Sequence, residues 1–429
     1  MNINITVLLL SGGTSSRFWP LTHKMSQQFL GKSFLDRQIE QLKDCGFKNI
    51  VVVSNTKLGT DFSSSVPTVV QKGNGQGAAI LSAATYIKTK PILVINADDL
   101  VSPLLYKKIL EIAGADKNIL VGYKTKRYFP GGYLVLNGKK IAHIVEKPGE
   151  GNEPSSFVRL VCDYFPSSDV LFNFLNKIPN TNADTHYEDT LTAMMKSGEF
   201  FEMLEYEDVW IPVKYPWQAL TLMDHYLAQI KKSTIAKSAM IHETATISGP
   251  VFIEEGVRVL EYAKLTGPLY IGKNSIIGNH SLIRYSIVGK NSVIGFGSDV
   301  TRSYLGSNVW LHSNYIGDSV LSDNVAMGAG SVLANLRLDE GEIFSEIKGE
   351  RIRTHRSKLG ALIGENSKIG VSVQIMPGVK IGADSQIGAG VLLQQDLPNH
   401  KKCFVKQSHV IIDNHTRKSP DRGGFRKNI

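Results

Sequence analysis

Cysteine is scarce in this chain of 429 residues: Cys45, Cys162 and Cys403 are odd in number and far apart. That argues against a disulfide framework and against a zinc cluster. Long apolar runs are missing as well, so no segment has the length to cross a bilayer as a helix, and no membrane contact is expected. The opening MNINITVLLLSGG lacks a basic head and a small-residue cleavage site. It reads as a strand and a loop, and a cytoplasmic protein is the default expectation. A clear basic stripe with interleaved aromatics is also wanting, which makes nucleic acid the least favoured partner. The net charge of +9 fits phosphorylated small molecules equally well, and part of it sits in the tail HTRKSPDRGGFRKNI.

What is present divides into two textures that meet near residue 233. Before it, apolar strands alternate with amphipathic stretches: ITVLLL, SFLDRQIEQLKDCG, NIVVVSN, GQGAAILSAATYIK and PILVINADD. Strand and helix in turn predict an α/β, Rossmann-like domain over residues 1–232, with a mainly parallel sheet covered on both faces. Ligands collect at the carboxyl ends of such strands, which directs attention to the loops after Leu10 and Ile95. Beyond residue 233 aliphatic side chains recur every sixth position. They run from Ile235 through Ile253, Ile271 and Ile283, resume at Val288, Ile294 and Val300, and return from Ile363 to Leu393. Helical packing cannot generate that period; short strands wound into a solenoid with tight corners can. The second domain is assigned to residues 233–410, all β, and a basic, poorly ordered tail to 411–429.

These patterns resemble known families. The repeat is similar to the hexapeptide-repeat, left-handed parallel β-helix, whose members form trimers, so a homotrimer is implied. The loop SGGTSSRFWPLT, followed by QKGNGQGAA, NADD and EKP, resembles the sugar-1-phosphate nucleotidyltransferases over the first 230 residues. Carried over by position, Gly12 and Gly13 with Arg17 hold a nucleoside triphosphate, and Gln71 and Gly75 read its base. Asp98 binds Mg2+, and Glu146 and Lys147 face the sugar-1-phosphate. Without the resemblance, Asp98 is a strand-end aspartate capping the next turn. Several residues depart from the family pattern: Ser15 stands for a third glycine, Gln27 for a lysine at the transferring phosphate, Arg159 and Val161 for an asparagine and a glycine at the sugar. Pro212 or Val213 falls where a second metal carboxylate is common. The pieces SGG, FWPL and QQFL also resemble mannose-1-phosphate guanylyltransferases, so the base stays open.

The segments WLHSNYIGDSVLSDNVAMGAGSVLANLRLDE and KLGALIGENSKIGVSVQIMPGVKIGADSQIGAGV resemble the acetyltransferase half of the bifunctional enzymes that make UDP-N-acetylglucosamine, most closely their archaeal versions. The resemblance makes His312 the general base for attack of a sugar amine on acetyl-CoA, a task that suits a group titrating near neutrality. Tyr315 and Asn335 match neighbouring positions at the sugar, and Ala361, Ser367 and Ala383 fall on coils where coenzyme A would lie. The implied work is formation of a nucleotide-activated sugar. A catalytically weakened, ligand-binding homologue and a single-function thymidylyl- or guanylyltransferase with a structural solenoid stand as alternatives. The excursion EIFSEIKGERIRTHRSK is expected to be a hairpin over the solenoid.

Overall fold

The computed structural model describes residues 4–13, 15–22, 24–55, 66–87, 90–114, 116–138, 140–180, 185–415 and 423–427. Residues 416–422 and 428–429 of the basic tail lie outside them. The first unit is built on a nine-stranded sheet in the order Thr68–Val70, Asn49–Ser54, Thr6–Leu10, Ile92–Asn96, Phe157–Phe165, Asn118–Lys124, Phe201–Tyr206, Lys140–Glu146, Gly132–Asn137. Its first four strands pair in parallel. Beyond Ile92–Asn96 the sheet is mixed, because Phe157–Phe165 runs antiparallel to both its neighbours. Every residue of Thr6–Leu10 is buried, as a strand covered on both faces requires. Helix Phe34–Asp44 starts where Ser33 accepts a hydrogen bond from the Asp36 amide, and buries Phe34, Leu35, Gln38, Ile39 and Leu42 on one stripe.

Residues 234–403 wind into a solenoid of three parallel sheets with eight, nine and eight strands. We call these the first, second and third faces, in the order the chain visits them. Register repeats once per turn: Ile253, Ile271, Val288, Leu305, Leu321, Ile363 and Ile381 stack in the first. Nearly all the six-spaced aliphatics lie in one buried column. Ile235, in the opening coil with no turn before it, is exposed. The corners between first and second faces adopt a left-handed backbone at Asn274, Asn291, Asn308, Asn324, Asn366 and Asp384. Asparagine and aspartate tolerate that conformation better than other side chains. Some of them bond along the stack, Asn324 Nδ2 to Asn366 Oδ1 at 3.1 Å and Asn366 Nδ2 to Asp384 Oδ1 at 3.1 Å.

The two units share a core. Tyr270, Ile287, Tyr304, Val320 and Leu362 project outward from the first face into the same apolar cluster as Phe29, Leu21, Tyr226 and Leu227. The Phe29 ring lies 5.4 Å from Tyr304 and 5.1 Å from Tyr226. The excursion forms the antiparallel hairpin Ile343–Ile347 with Glu350–Arg356. It does more than cover the solenoid: Ile343 and Ile347 join the shared cluster, and Arg356 donates to Thr221 Oγ1 of the first unit at 3.0 Å.

Candidate active sites

The sheet delivers its polar groups to the carboxyl ends of neighbouring strands. After Leu10 the Ser11 amide bonds to Val53 O at 2.7 Å, which holds the turn into Gly12. A Cβ at Gly12 would stand 2.1 Å from Gln71 Oε1, so the absent side chain is what lets the Gln71 amide lie against this turn as it does. Gln71 is fixed by its Nε2, which donates to Gly73 O and Gly75 O at 3.0 and 3.1 Å. Gly75 opens helix Gly75–Ser82 with φ +83°. Ser15, in place of the expected third glycine, adopts φ +53°, the conformation a glycine would favour.

Behind the Asp98 turn, the buried Gln38 amide donates to Ala97 O at 3.0 Å and Asp99 O at 2.8 Å. The Asp98 carboxylate forms an ion pair with Lys24, whose Nζ also reaches Val213 O at 3.3 Å. Burial acts to raise Asp98, but the charge and hydrogen bond of Lys24 outweigh it and hold the carboxylate below its usual range. Asp99 is 4% exposed and bonded to Trp210 Nε1 at 2.9 Å; burial and the charge of Asp98 push it up to about 6. Burial lowers Lys214, while Asp99, Asp98 and Glu146 act to hold its proton and Arg17 to expel it. Lys214 thus gathers the predicted Arg17, Asp98 and Glu146 into one electrostatic neighbourhood. Sequence reasoning missed it, and nothing in VWIPVKYPW marks it out before the strand Trp210–Pro212 pairs with Asp99–Val101.

The donors suit magnesium better than a metal held by protein alone. Among the described residues no three acidic, histidine or cysteine side chains gather as a metal cluster. Magnesium needs only one or two carboxylates, taking its other oxygens from substrate phosphates and water. Asp98 offers one such carboxylate with 27% of its side chain exposed, so the residues fit an ion that arrives with a triphosphate.

Glu146 and Lys147, the residues expected at the sugar, lie side by side at 3.6 Å, Lys147 with φ +45°. Below them Arg159 is enclosed, bonding Asp163 Oδ2 at 2.5 Å and Glu188 Oε1 at 2.7 Å, with its guanidinium 4.7 Å from the Tyr187 ring centre. Burial pushes Glu188 up, with Glu146 adding to the effect, and Arg159 opposes it. Gln27, at the expected lysine position, leaves its Oε1 buried with no hydrogen-bond partner.

On the solenoid, His312 is exposed at the corner between second and third faces. Its amide donates to Asn314 Oδ1 at 2.6 Å, and the buried Asn314 amide ties down Gly328 O and Ser331 O. Tyr315 begins the adjoining third-face strand, and its hydroxyl lies 3.5 Å from Asn335 Oδ1. Asn335 donates to Asp318 Oδ2 at 2.5 Å, and Arg302 grips Asp318 with two bonds of 2.7 Å. Arg284, on the same face, holds Asp299 at 2.8 and 2.9 Å. Both arginines were missed, because they belong to earlier coils and reach this face only through the winding of the solenoid.

The three residues expected to line coenzyme A lie at other corners than His312. Ala361 precedes the first face, whereas Ser367 and Ala383 lie between the first and second; all three are buried. Strand register instead continues the His312 corner through other residues. Leu311, Met327, Ile369 and Ile387 stack, and the corner just past them carries His312 and Ser313, then Gly328 and Ala329, Gly370 and Val371, and Gly388 and Ala389; the second of each pair is exposed, as His312 is. The six-residue count identifies the interior but does not say which of three corners a residue occupies.

Residues 7–239 match the model of the MobA-like NTP transferase domain, residues 229–337 the GMPPB C-terminal domain, and residues 360–395 the bacterial transferase hexapeptide, six repeats. The bifunctional sugar-1-phosphate nucleotidylyltransferase/acetyltransferase of Sulfurisphaera tokodaii is 34% identical over 401 residues, covering 91% of this chain and 97% of its relative. The bifunctional protein GlmU of Methanococcus vannielii is 29% identical, covering 94% and 98%. A solved UDP-glucose pyrophosphorylase in complex with UDP-glucose aligns to 53% of this chain and all of its own, with 18% identity and a TM-score of 0.45. A nucleotidyltransferase domain followed by a left-handed β-helix, matched nearly end to end by such a relative, places the chain in the family of bifunctional sugar-1-phosphate nucleotidylyltransferase/acetyltransferases.

Proposed function

We propose that this enzyme makes UDP-N-acetylglucosamine, acetylating glucosamine-1-phosphate at the His312 corner and transferring a uridylyl group at the Asp98 turn. The observation that carries the reading is the coexistence of both polar clusters in one chain whose Sulfurisphaera tokodaii relative is named for both activities.

At the solenoid site the exposed His312 takes the proton as the sugar amine attacks the acetyl thioester, and the thiol of coenzyme A leaves. Tyr315 and Asn335 orient the sugar. Arg302 and Arg284 lie close enough to favour its phosphate, although Asp318 and Asp299 already engage them. Coenzyme A runs along the corner continued by Ala329, Val371 and Ala389, where small exposed residues leave room beside the backbone. Exposed Tyr262, Phe296 and Trp310 near this corner support a homotrimer assembled through the solenoid.

In the first unit the sugar phosphate attacks the α-phosphorus in line and pyrophosphate leaves. The amides of Gly12 and Gly13, with Arg17, hold the triphosphate, while Gln71 and Gly75 contact the base. Asp98 would hold magnesium, which supplies positive charge to the phosphates when bound. Lys24, already at Asp98, provides a cation that Gln27 does not. Glu146 and Lys147 face the sugar and its phosphate.

The test is pyrophosphate release with magnesium, offering UTP, dTTP and GTP each against N-acetylglucosamine-1-phosphate, glucose-1-phosphate and mannose-1-phosphate. Preference for UTP with N-acetylglucosamine-1-phosphate is expected. Silence across the panel in folded protein would reduce the loop to a binding site, and preference for GTP with mannose-1-phosphate would replace the substrate assignment.

A further inference from the structure

The loop that carries Arg17 does not hang free after the first strand. From Trp19 onward it is seated on the solenoid of the same chain at several places, a Thr22 Oγ1 bond to Glu365 Oε1 at 3.4 Å among them. Trp19 Nε1 donates to Asn399 Oδ1 at 2.8 Å, and Asn399 Oδ1 also accepts from the Ala383 amide at 3.1 Å. Pro20 O closes on the next coil so tightly that a Cβ at Gly364 would come within 2.9 Å of it. The Gln28 amide donates to the buried Tyr304 hydroxyl at 3.1 Å, where Phe29 packs on the same ring.

The first seat is braced by a buried cation. Lys380 is 1% exposed, and its ammonium lies 5.7 Å from the Trp19 ring centre. All three of its donors are used, on Asp396 Oδ2 at 2.6 Å, Ser345 Oγ at 2.9 Å and Glu346 O at 2.8 Å. The ammonium is therefore fixed by the solenoid's end and by its hairpin, and it presents fixed positive charge to the Trp19 face. Trp19 is two residues from Arg17, a separation short enough that moving the indole moves the arginine's backbone.

We propose that Asn399 and Lys380, both in the acetyltransferase half of the chain, are positioning residues for nucleotidyl transfer, acting through Trp19 on the loop that holds the triphosphate. This rests on the reading that Gly12 to Arg17 bind that triphosphate. The solenoid is then part of the nucleotide site as well as the scaffold of the other one.

The experiment is calorimetric titration of the full-length protein with UTP and magnesium, for wild type, Trp19→Phe, Asn399→Ala, Asn399→Asp and the Trp19→Phe/Asn399→Ala pair. Thiol release from acetyl-CoA, measured on each, reports whether the solenoid is intact. Trp19→Phe keeps the ring and loses the donor; Asn399→Asp keeps acceptors for both partners. Each of Trp19→Phe and Asn399→Ala should raise the Kd for UTP about five- to tenfold, the scale of one hydrogen bond. The double variant should be no worse than the single ones, Asn399→Asp should come within about twofold of wild type, and thiol release should persist. An unchanged Kd in Asn399→Ala, effects that simply multiply in the pair, or parallel loss of thiol release would overturn the proposal. Failure of the wild type to bind UTP, dTTP or GTP would instead defeat the underlying reading of the loop, and the proposal with it.

Discussion

Changing Asp98 to Asn keeps the shape of the turn but removes the carboxylate that pairs with Lys24. Pyrophosphate release should fall about a hundredfold or more, with thiol release from acetyl-CoA unaffected; equal rates would remove Asp98 from the chemistry. The mirror experiment is His312→Ala, which should abolish thiol release and leave nucleotide binding intact. Residual transfer near the wild-type rate would sink the general-base role. Gly12, Gln71 and Asp98 could be placed at one edge of the sheet because each follows an apolar strand of the parallel half, where ligands gather. Lys24 and Lys214 were not. Lys24 is three residues from the expected lysine position, and its partner lies 74 residues on. Lys214 reaches the site only because a short strand far along the chain pairs beside Asp99. At Ser15 the sequence showed a missing glycine, and the backbone shows that the glycine conformation survived the substitution.

Between residue and domain, the coil is the unit that decides stability. Asn366 adopts φ +60° and bonds to both of its neighbours in the stack. Asn366→Ala should cost about 1–2 kcal/mol from the left-handed backbone alone, with Asn366→Gly losing less, as thermal or urea unfolding of each will show. Alanine and glycine variants of equal stability would mean that the hydrogen bonds, and not the backbone, hold this corner. The interior of each coil could be read directly, since one aliphatic in six is a period that no helix produces. The corners could not, because a residue's corner depends on how strands register across coils, and the 343–356 hairpin breaks the count between Leu333 and Leu362. Ala361, Ser367 and Ala383 fall at other corners than His312 for that reason, while His312 and Tyr315, within one unbroken coil, stay together.

Across the complete chain, the shared cluster makes the two halves interdependent. Tyr226, Phe29, Tyr270 and Tyr304 sit in four distant segments, and each alone looks like an ordinary core residue. Pattern analysis therefore placed a boundary near residue 233 without showing that the first unit's apolar surface, and its nucleotide loop, rest on the solenoid. Cutting the chain after residue 232 exposes Phe29, Leu21 and Tyr226, so the isolated first unit should aggregate or lose nucleotide affinity in a sedimentation and binding assay. A soluble fragment with full activity would show the contact to be incidental. The bifunctional account itself turns on one reaction mixture: purified full-length protein, glucosamine-1-phosphate, acetyl-CoA, UTP and magnesium, with products identified by mass. It predicts UDP-N-acetylglucosamine together with stoichiometric thiol and pyrophosphate, and no N-acetylated nucleotide sugar when acetyl-CoA is left out. Thiol without pyrophosphate, pyrophosphate without thiol, or neither, would contradict it.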